Sequence, residues 1–302
     1  MDRPTILLTG ADGQVGFELQ RLLAASGEII ATDRRTLDLS DPDAIVAVVR
    51  RVKPALIVNA AAYTAVDRAE KEEAVATGIN AEAVSALARW AKSHGALVVH
   101  YSTDYVFAGD ASTPYQEEAA VAPAGAYGRS KLAGEEALAA SGAAHFNFRT
   151  AWVYSPVGQN FLRTMLRLGG ERDELRVVAD QIGSPTDTTL IVEGSLAAID
   201  LWLASDTATR AGLEGTYHLT ASGQTSWHGF ASAILERAAQ RGLLPRAPVV
   251  HAISSSEFPT PAKRPAYSVL DNSRFARTFN HPLPDWQVGL DRTLDVLSST
   301  GS

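Results

Sequence analysis

Short apolar runs alternate with amphipathic stretches through the first half of the chain. Thr5-Ile6-Leu7-Leu8 lies between Pro4 and a glycine-rich turn, and its brevity and apolar character predict a buried strand. Glu18 to Ala25 places Leu19, Leu22 and Leu23 on one side, which predicts a helix. The alternation then continues. Ile29 to Thr32 reads as a strand, Asp43 to Arg51 as a helix, Ala55 to Asn59 as a strand and Ala74 to His94 as one long helix. Leu97 to Tyr101 reads as a strand, Tyr127 to Ala140 as a helix and Phe146 to Arg149 as a strand. Continuous apolar strands separated by helices imply an α/β fold, a doubly wound parallel Rossmann-type sheet.

After residue 150 the pattern loosens and prolines accumulate, including Pro245, Pro248, Pro259, Pro261, Pro265, Pro282 and Pro284. This half is expected to form a smaller C-terminal substrate-binding lobe. Residues 1–150 are then the NAD(P)-binding domain and 151–302 the lobe. Part of 186–220 is expected to rejoin the sheet through the apolar segments Leu190 to Leu203 and Thr216 to Leu219.

A chain of 302 residues buries a large core in one or two domains. The absence of cysteine excludes disulfides, thiolate catalysis and thiolate metal sites. A net charge of −7 argues against nonspecific nucleic-acid binding, while leaving room for arginines to hold a small anion. No apolar run reaches the ~20 residues of a membrane span, and the N-terminus lacks the apolar stretch of a signal peptide. The expectation is a cytoplasmic protein with no membrane or nucleic-acid partner.

The chemistry gathers at predicted strand ends. Gly10, Gly13 and Gly16 follow the first strand, where glycine permits a tight turn and a close backbone approach to a pyrophosphate. Asp33 and Arg34 end the second strand. The carboxylate suits ribose hydroxyls and the guanidinium suits a 2′-phosphate, so both NADPH and NADH are expected to be accepted. Asp38 and Leu39 follow in a loop that could flank the adenine. Ala61, Ala62 and Tyr63 follow the third strand, in a stretch whose small residues admit a flat cofactor. Thr103 ends the fourth strand and can hydrogen-bond a carbonyl oxygen while Tyr127 protonates it. Lys131 stands one helical turn from Tyr127, and an ammonium there would favour the phenolate. Trp152 reads either as a flat wall for a sugar ring or base, or as a core tryptophan. Arg264 reads as a diphosphate clamp or as a solvated surface arginine. The histidines show no metal spacing, so His100 and His218 are expected in core or edge roles. Glu117-Glu118 and Glu135-Glu136 read as solvated faces.

Longer strings carry a resemblance. They include Val58-Asn59-Ala60-Ala61-Ala62, His100-Tyr101-Ser102-Thr103-Asp104-Tyr105-Val106-Phe107, Lys131-Leu132-Ala133-Gly134-Glu135 and Leu283-Pro284-Asp285-Trp286-Gln287-Val288-Gly289. Across almost its whole length the chain resembles the dTDP-4-dehydrorhamnose reductases, which are extended short-chain dehydrogenases/reductases. The resemblance implies reduction of the C4 ketone of dTDP-4-dehydro-L-rhamnose by NADPH or NADH, in a monomer or homodimer. It implies Tyr127 as proton donor and Lys131 as the holder of the nicotinamide ribose. It implies contacts from Thr103, Asp104 and Trp152 to the sugar, and from Gln14, Val15, Asp38, Leu39, Ala61, Ala62 and Tyr63 to the dinucleotide. Some members bind Mg²⁺ through three glutamates. Here Glu18 matches one, while Thr189 and Val296 stand at the other two, leaving Mg²⁺ an open question. Two other readings share the motifs: reductase of another nucleotide-linked 4-keto-6-deoxysugar, and a non-catalytic NADP-binding regulatory subunit of methionine adenosyltransferase. The intact Thr103, Tyr127 and Lys131 argue against the latter.

Overall fold

A computed structural model describes residues 3–300. Six parallel strands form the main sheet: β1 (Thr5–Thr9), β2 (Glu28–Thr32), β3 (Leu56–Asn59), β4 (Leu97–Thr103), β5 (His145–Thr150) and β6 (Gly215–His218). Their order is β6-β5-β4-β3-β1-β2. The chain leaves β1 toward β2, then crosses back to place β3 on the other side of β1. The chain reverses direction between β1 and β3, which opens a crevice at their carboxyl ends.

Helices cover both faces, as burial of both sides of each strand requires. Ile6, Leu8, Leu56 and Val58 face one layer, which includes helix α1 (Gln14–Leu23). Leu7, Ile57 and Val98 face the layer of α2 (Pro42–Val52) and α3 (Ala83–His94). This period-two division assigns successive strand residues to different cores. Helix α4 (Ala126–Ser141) packs beside α3 and carries Tyr127 and Lys131.

Two elements depart from expectation. The segment from Ala74 to His94 is not one regular helix. An α-helical turn over Glu73–Thr77 passes into a π-helical turn over Gly78–Glu82 before α3 begins. The wide turn directs buried Asn80 toward α4, where its carbonyl would lie 2.0 Å from a Cβ at Gly134. Leu190 to Leu203 does not return to the sheet. It forms most of helix α5 (Thr188–Ala204), whose apolar residues pack against α1. Its mean apolarity suited a buried strand and a buried helix equally. Thr216 to His218 does join the sheet, as part of β6 beside β5. No helix among the described residues is long and apolar enough to cross a membrane.

Candidate active site

The turn after β1 is built around missing side chains. Gly10 has φ +69°, and a Cβ there would stand 2.6 Å from the backbone nitrogen of Ala61. A Cβ on Gly16 would stand 2.0 Å from the carbonyl oxygen of Gly10. Gly13 forms the N-cap of α1 and no side chain caps that helix, so its first-turn N–H groups remain open to an anion. The geometry fits a dinucleotide pyrophosphate. Gln14, at the first position of α1, accepts bonds from Ser155 Oγ (3.2 Å) and Asn160 Nδ2 (2.8 Å), which ties the turn to the segment after β5. Val15 packs partly buried against the core below.

Asp33 directs Oδ1 into its own turn, accepting from Arg35 N at 3.0 Å and Thr36 N at 2.9 Å. The Thr36 hydroxyl, also bonded to it, holds the carboxyl below the ordinary aspartate value. Arg34 is exposed at the same strand end. Asp38 is exposed and accepts from Ser40 N and Oγ, while the Leu39 side chain is buried in the core over β1. Any contact from Leu39 to a cofactor therefore falls to its backbone. Ala61, Ala62 and Tyr63 are partly exposed beyond β3. Tyr63 donates to Glu72 at 2.5 Å, and its backbone N–H donates to Asn80 Oδ1 at 2.9 Å. Asn80 also donates to Ser130 at 2.9 Å, one residue from Lys131. Sequence reasoning missed Asn80; the irregular turn that carries it has no clear sequence signature.

Thr103 closes β4, in register with Thr150 of β5. Its hydroxyl donates to Asp104 Oδ1 at 2.9 Å and stands beside the Tyr127 phenol, whose rise it opposes. Burial pushes the Asp104 carboxyl up to about 6, opposed by the neighbouring Ser268 and Thr103 hydroxyls. The N-terminus of α4 is fixed by Glu70, which accepts from Ala126 N at 2.9 Å. Gly128 lets α4 press on the turn after β4, where a Cβ would meet the Tyr105 carbonyl oxygen at 2.3 Å. Together these contacts bring Tyr127 to Thr103.

The expected effect of Lys131 on Tyr127 is corrected. The ammonium does not stand against the phenol. Lys131 is 1% exposed, and its Nζ lies 2.6 Å from the Tyr101 carbonyl oxygen and 3.2 Å from His100 Nε2. Burial, followed by the Asp104 and Tyr105 charges, raises the Tyr127 phenol above its ordinary value, and only the Thr103 bond opposes it. Helical spacing put the two residues on one face, but the long lysine stem carries its head under the sheet instead.

Trp152 is not an open wall. Its ring stacks on Trp227 at 3.5 Å and 3°, and Gly183 leaves room for it, since a Cβ there would fall 2.3 Å from the indole. Its φ of 49° is a left-handed conformation uncommon for a bulky residue. Arg264 is only part exposed and pairs with Asp67 at 2.7 Å. Asp67 also accepts from Ala262 N at 3.1 Å, so the pair straps the late loop to the segment after β3. The solvated reading of the glutamates is also corrected at Glu135. It is buried against Arg149, with Nη2 to Oε2 at 2.6 Å. Glu117 is half-buried and accepts from His218 N at 3.0 Å, whereas Glu118 and Glu136 are exposed. His218 is fully buried, and burial lowers its value to about 3.

The residues at the Mg²⁺ positions do not fit the ion. Glu18 is held by Arg21 at 2.5 Å, and Thr189 and Val296 bring no charge. No group of three or more His, Asp or Glu with ligand-like placement occurs among the described residues.

Known proteins match this arrangement over nearly the full chain. The family described as RmlD substrate binding domain matches residues 4–299. A dTDP-4-dehydrorhamnose reductase of Burkholderia thailandensis is 48% identical over 291 residues, covering 94% of this chain and 97% of its own. That of Escherichia coli K12 is 46% identical over 299 residues, 98% of each. The crystal structure of the Bacillus anthracis dTDP-4-dehydrorhamnose reductase in complex with NADP superposes with a TM-score of 0.88 at 36% identity. It covers 98% of this chain and 100% of that one.

Proposed function

The chain belongs to the dTDP-4-dehydrorhamnose reductase family, and on that premise we propose that Thr103, Tyr127 and Lys131 perform the reduction. The enzyme reduces the C4 ketone of dTDP-4-dehydro-β-L-rhamnose to dTDP-L-rhamnose, the last step of dTDP-rhamnose synthesis. NADPH, when bound, supplies the hydride from nicotinamide C4. Gly10, Gly13 and Gly16 admit its pyrophosphate to the N-terminus of α1. With the dinucleotide bound, Arg34 would hold the 2′-phosphate and Asp33 the ribose, which would admit NADH as well.

The observation that carries the assignment of roles is the meeting of the Thr103 and Tyr127 hydroxyls at the carboxyl edge of β4. A ketone oxygen placed between them receives two hydrogen bonds once the Thr103 hydroxyl turns to it from Asp104, and both strengthen as it becomes an alkoxide. The raised phenol keeps its proton in the resting site. It still delivers that proton downhill, because an alkoxide resembles hydroxide, whose conjugate acid titrates near ~16. Asp104, held by Thr103, contacts the sugar hydroxyls. Trp152, fixed by Trp227, lines the sugar pocket with its edge. Arg264 extends its remaining donors toward the diphosphate. Residues 1–150 with β6 hold the dinucleotide, and the lobe after residue 150 holds the sugar nucleotide.

The test is NADPH oxidation, followed by near-ultraviolet absorbance, with dTDP-4-dehydro-L-rhamnose generated in situ. Enzyme-dependent oxidation with appearance of dTDP-L-rhamnose is expected. Tyr127→Phe should retain NADPH binding and lose turnover by roughly 10²–10⁴. An active Tyr127→Phe would remove it from the proton-donor role.

A further inference from the structure

Beneath Lys131 runs a continuous line of buried polar side chains drawn from three strands. Thr9 of β1 donates from Oγ1 to Asn59 Oδ1 of β3 at 2.6 Å. Asn59 Nδ2 lies 3.2 Å from His100 Nδ1 of β4. His100 Nε2 lies 3.2 Å from Lys131 Nζ, which also reaches the Tyr101 carbonyl oxygen at 2.6 Å. All four side chains are 1% exposed. Burial without compensating bonds would be costly for each, so the protons along the line must be mutually consistent.

A neutral imidazole has one N–H and one lone pair. With the Asn59 oxygen on Thr9, the Asn59 amine faces Nδ1, and the ring proton sits on Nε2. Lys131 must then accept, as a neutral amine, while its own hydrogens serve Tyr101. With the amide reversed, Nδ1–H donates to Asn59, and Nε2 accepts from a Lys131 ammonium. The two arrangements differ by one proton and one unit of charge. In the structure Asn59 Oδ1 faces Thr9 and Nδ2 faces His100, the amide orientation of the first arrangement.

We propose that His100 is a positioning residue that holds the Lys131 side chain and links its charge to the ring tautomer, with Thr9 and Asn59 setting the balance. This rests on the assignment of Lys131 to the reaction site. Loss of one proton from the ammonium form leaves a neutral amine beside an Nε2–H ring; gain of one restores the ammonium beside an Nδ1–H ring. The imidazolium is excluded in both, because desolvation and the facing Lys131 hold His100 well below its ordinary value. Lys131 itself is lowered to about 8 by burial. The other titratable groups acting on the pair are Glu135 of α4, which raises Lys131, and His145 of β5, which lowers His100. From β3 the pair meets the neutral Asn59.

Long-range ¹H–¹⁵N spectra of protein labelled at histidine nitrogen report the tautomer directly, with His100 assigned through backbone connectivity. Between pH 6 and 10 His100 should change from Nδ1–H to Nε2–H once, without an imidazolium pattern. In Lys131→Met the change should vanish. One tautomer throughout, an imidazolium, or persistence of the change in Lys131→Met would overturn the proposal. In kinetics, His100→Leu deprives the ammonium of a charge-assisted bond and the amine of a weaker neutral one. The basic limb of kcat should therefore move down by about one pH unit, and His100→Gln should restore it. An unmoved limb in folded His100→Leu would also overturn the proposal. The spectra need no substrate, so failure of ketosugar reduction by the unaltered enzyme is distinguished from failure of this linkage.

Discussion

Replacing Glu135 by leucine strands a buried cation. Arg149 and Glu135 are only 6% and 7% exposed, and three contacts of 2.6, 3.0 and 3.2 Å join them. Without the carboxylate, Arg149 keeps the Glu117 carbonyl at 3.1 Å and the Phe107 ring at 5.0 Å, neither of which neutralises its charge. Removing one partner of such a pair costs about 3–5 kcal/mol. At ~2 °C per kcal/mol, the scale for large domains, Tm should fall by about 6–10 °C. Differential scanning calorimetry at pH 7 measures it. Glu73→Ala breaks a pair with Arg129 that is 46% exposed on each side, and should cost under ~1 kcal/mol. The double variant Glu135→Leu/Arg149→Met removes both charges and should recover most of the loss. The reasoning fails if Glu135→Leu melts within 2 °C of the parent, or if the double variant is no more stable than the single one.

Arg34→Ala should weaken NADPH more than NADH in fluorescence titrations; equal losses would show that Arg34 does not meet the 2′-phosphate. Gly16→Ala puts a methyl 2.0 Å from the Gly10 carbonyl oxygen, with only backbone to yield. It should cost ~1–3 kcal/mol by melting and weaken NADPH, whereas Gly78→Ala, with nothing within 4 Å, should do neither. Asp104 is raised from 3.8 to about 6, above its unfolded value, so the stability it contributes is full below about pH 4 and lost as pH rises through 6. Asp104→Asn does not titrate; its Tm relative to the parent should climb between pH 4 and 6 and then level. A constant offset across that range would show that Asp104 ionises normally.

Local signals made much of the molecule legible. Apolar runs of strand length gave β1 to β5, because both faces of a parallel strand are buried and leave no polar alternation to confuse the reading. The glycine turn was legible for a similar reason: a steric exclusion at Gly10 and Gly16 leaves a mark in the residue type itself. Thr103, Tyr127 and Lys131 were named because their chemistry is distinctive. The strand ends on which Thr103 and the helix of Tyr127 depend followed from the same alternation.

Tertiary structure decided the rest. Leu190 to Leu203 is apolar apart from Glu193, Ser195 and Asp200, and its packing against α1 makes it a helix layer rather than a strand. Glu135 read as solvated until β5 brought Arg149 beside it. Trp152 became a clamped residue through Trp227, 75 positions later. Lys131 followed neither its helical neighbour Tyr127 nor its spacing. Its partners lie on β4, its more distant support on β3 and β1, and no local pattern records which side chains meet across a sheet. The sequence by itself therefore determined which groups could do chemistry and at which strand ends they stand. Which of them are protonated, paired or held depended on contacts between distant segments, since charge and hydrogen bonding follow the three-dimensional neighbourhood rather than the order of residues.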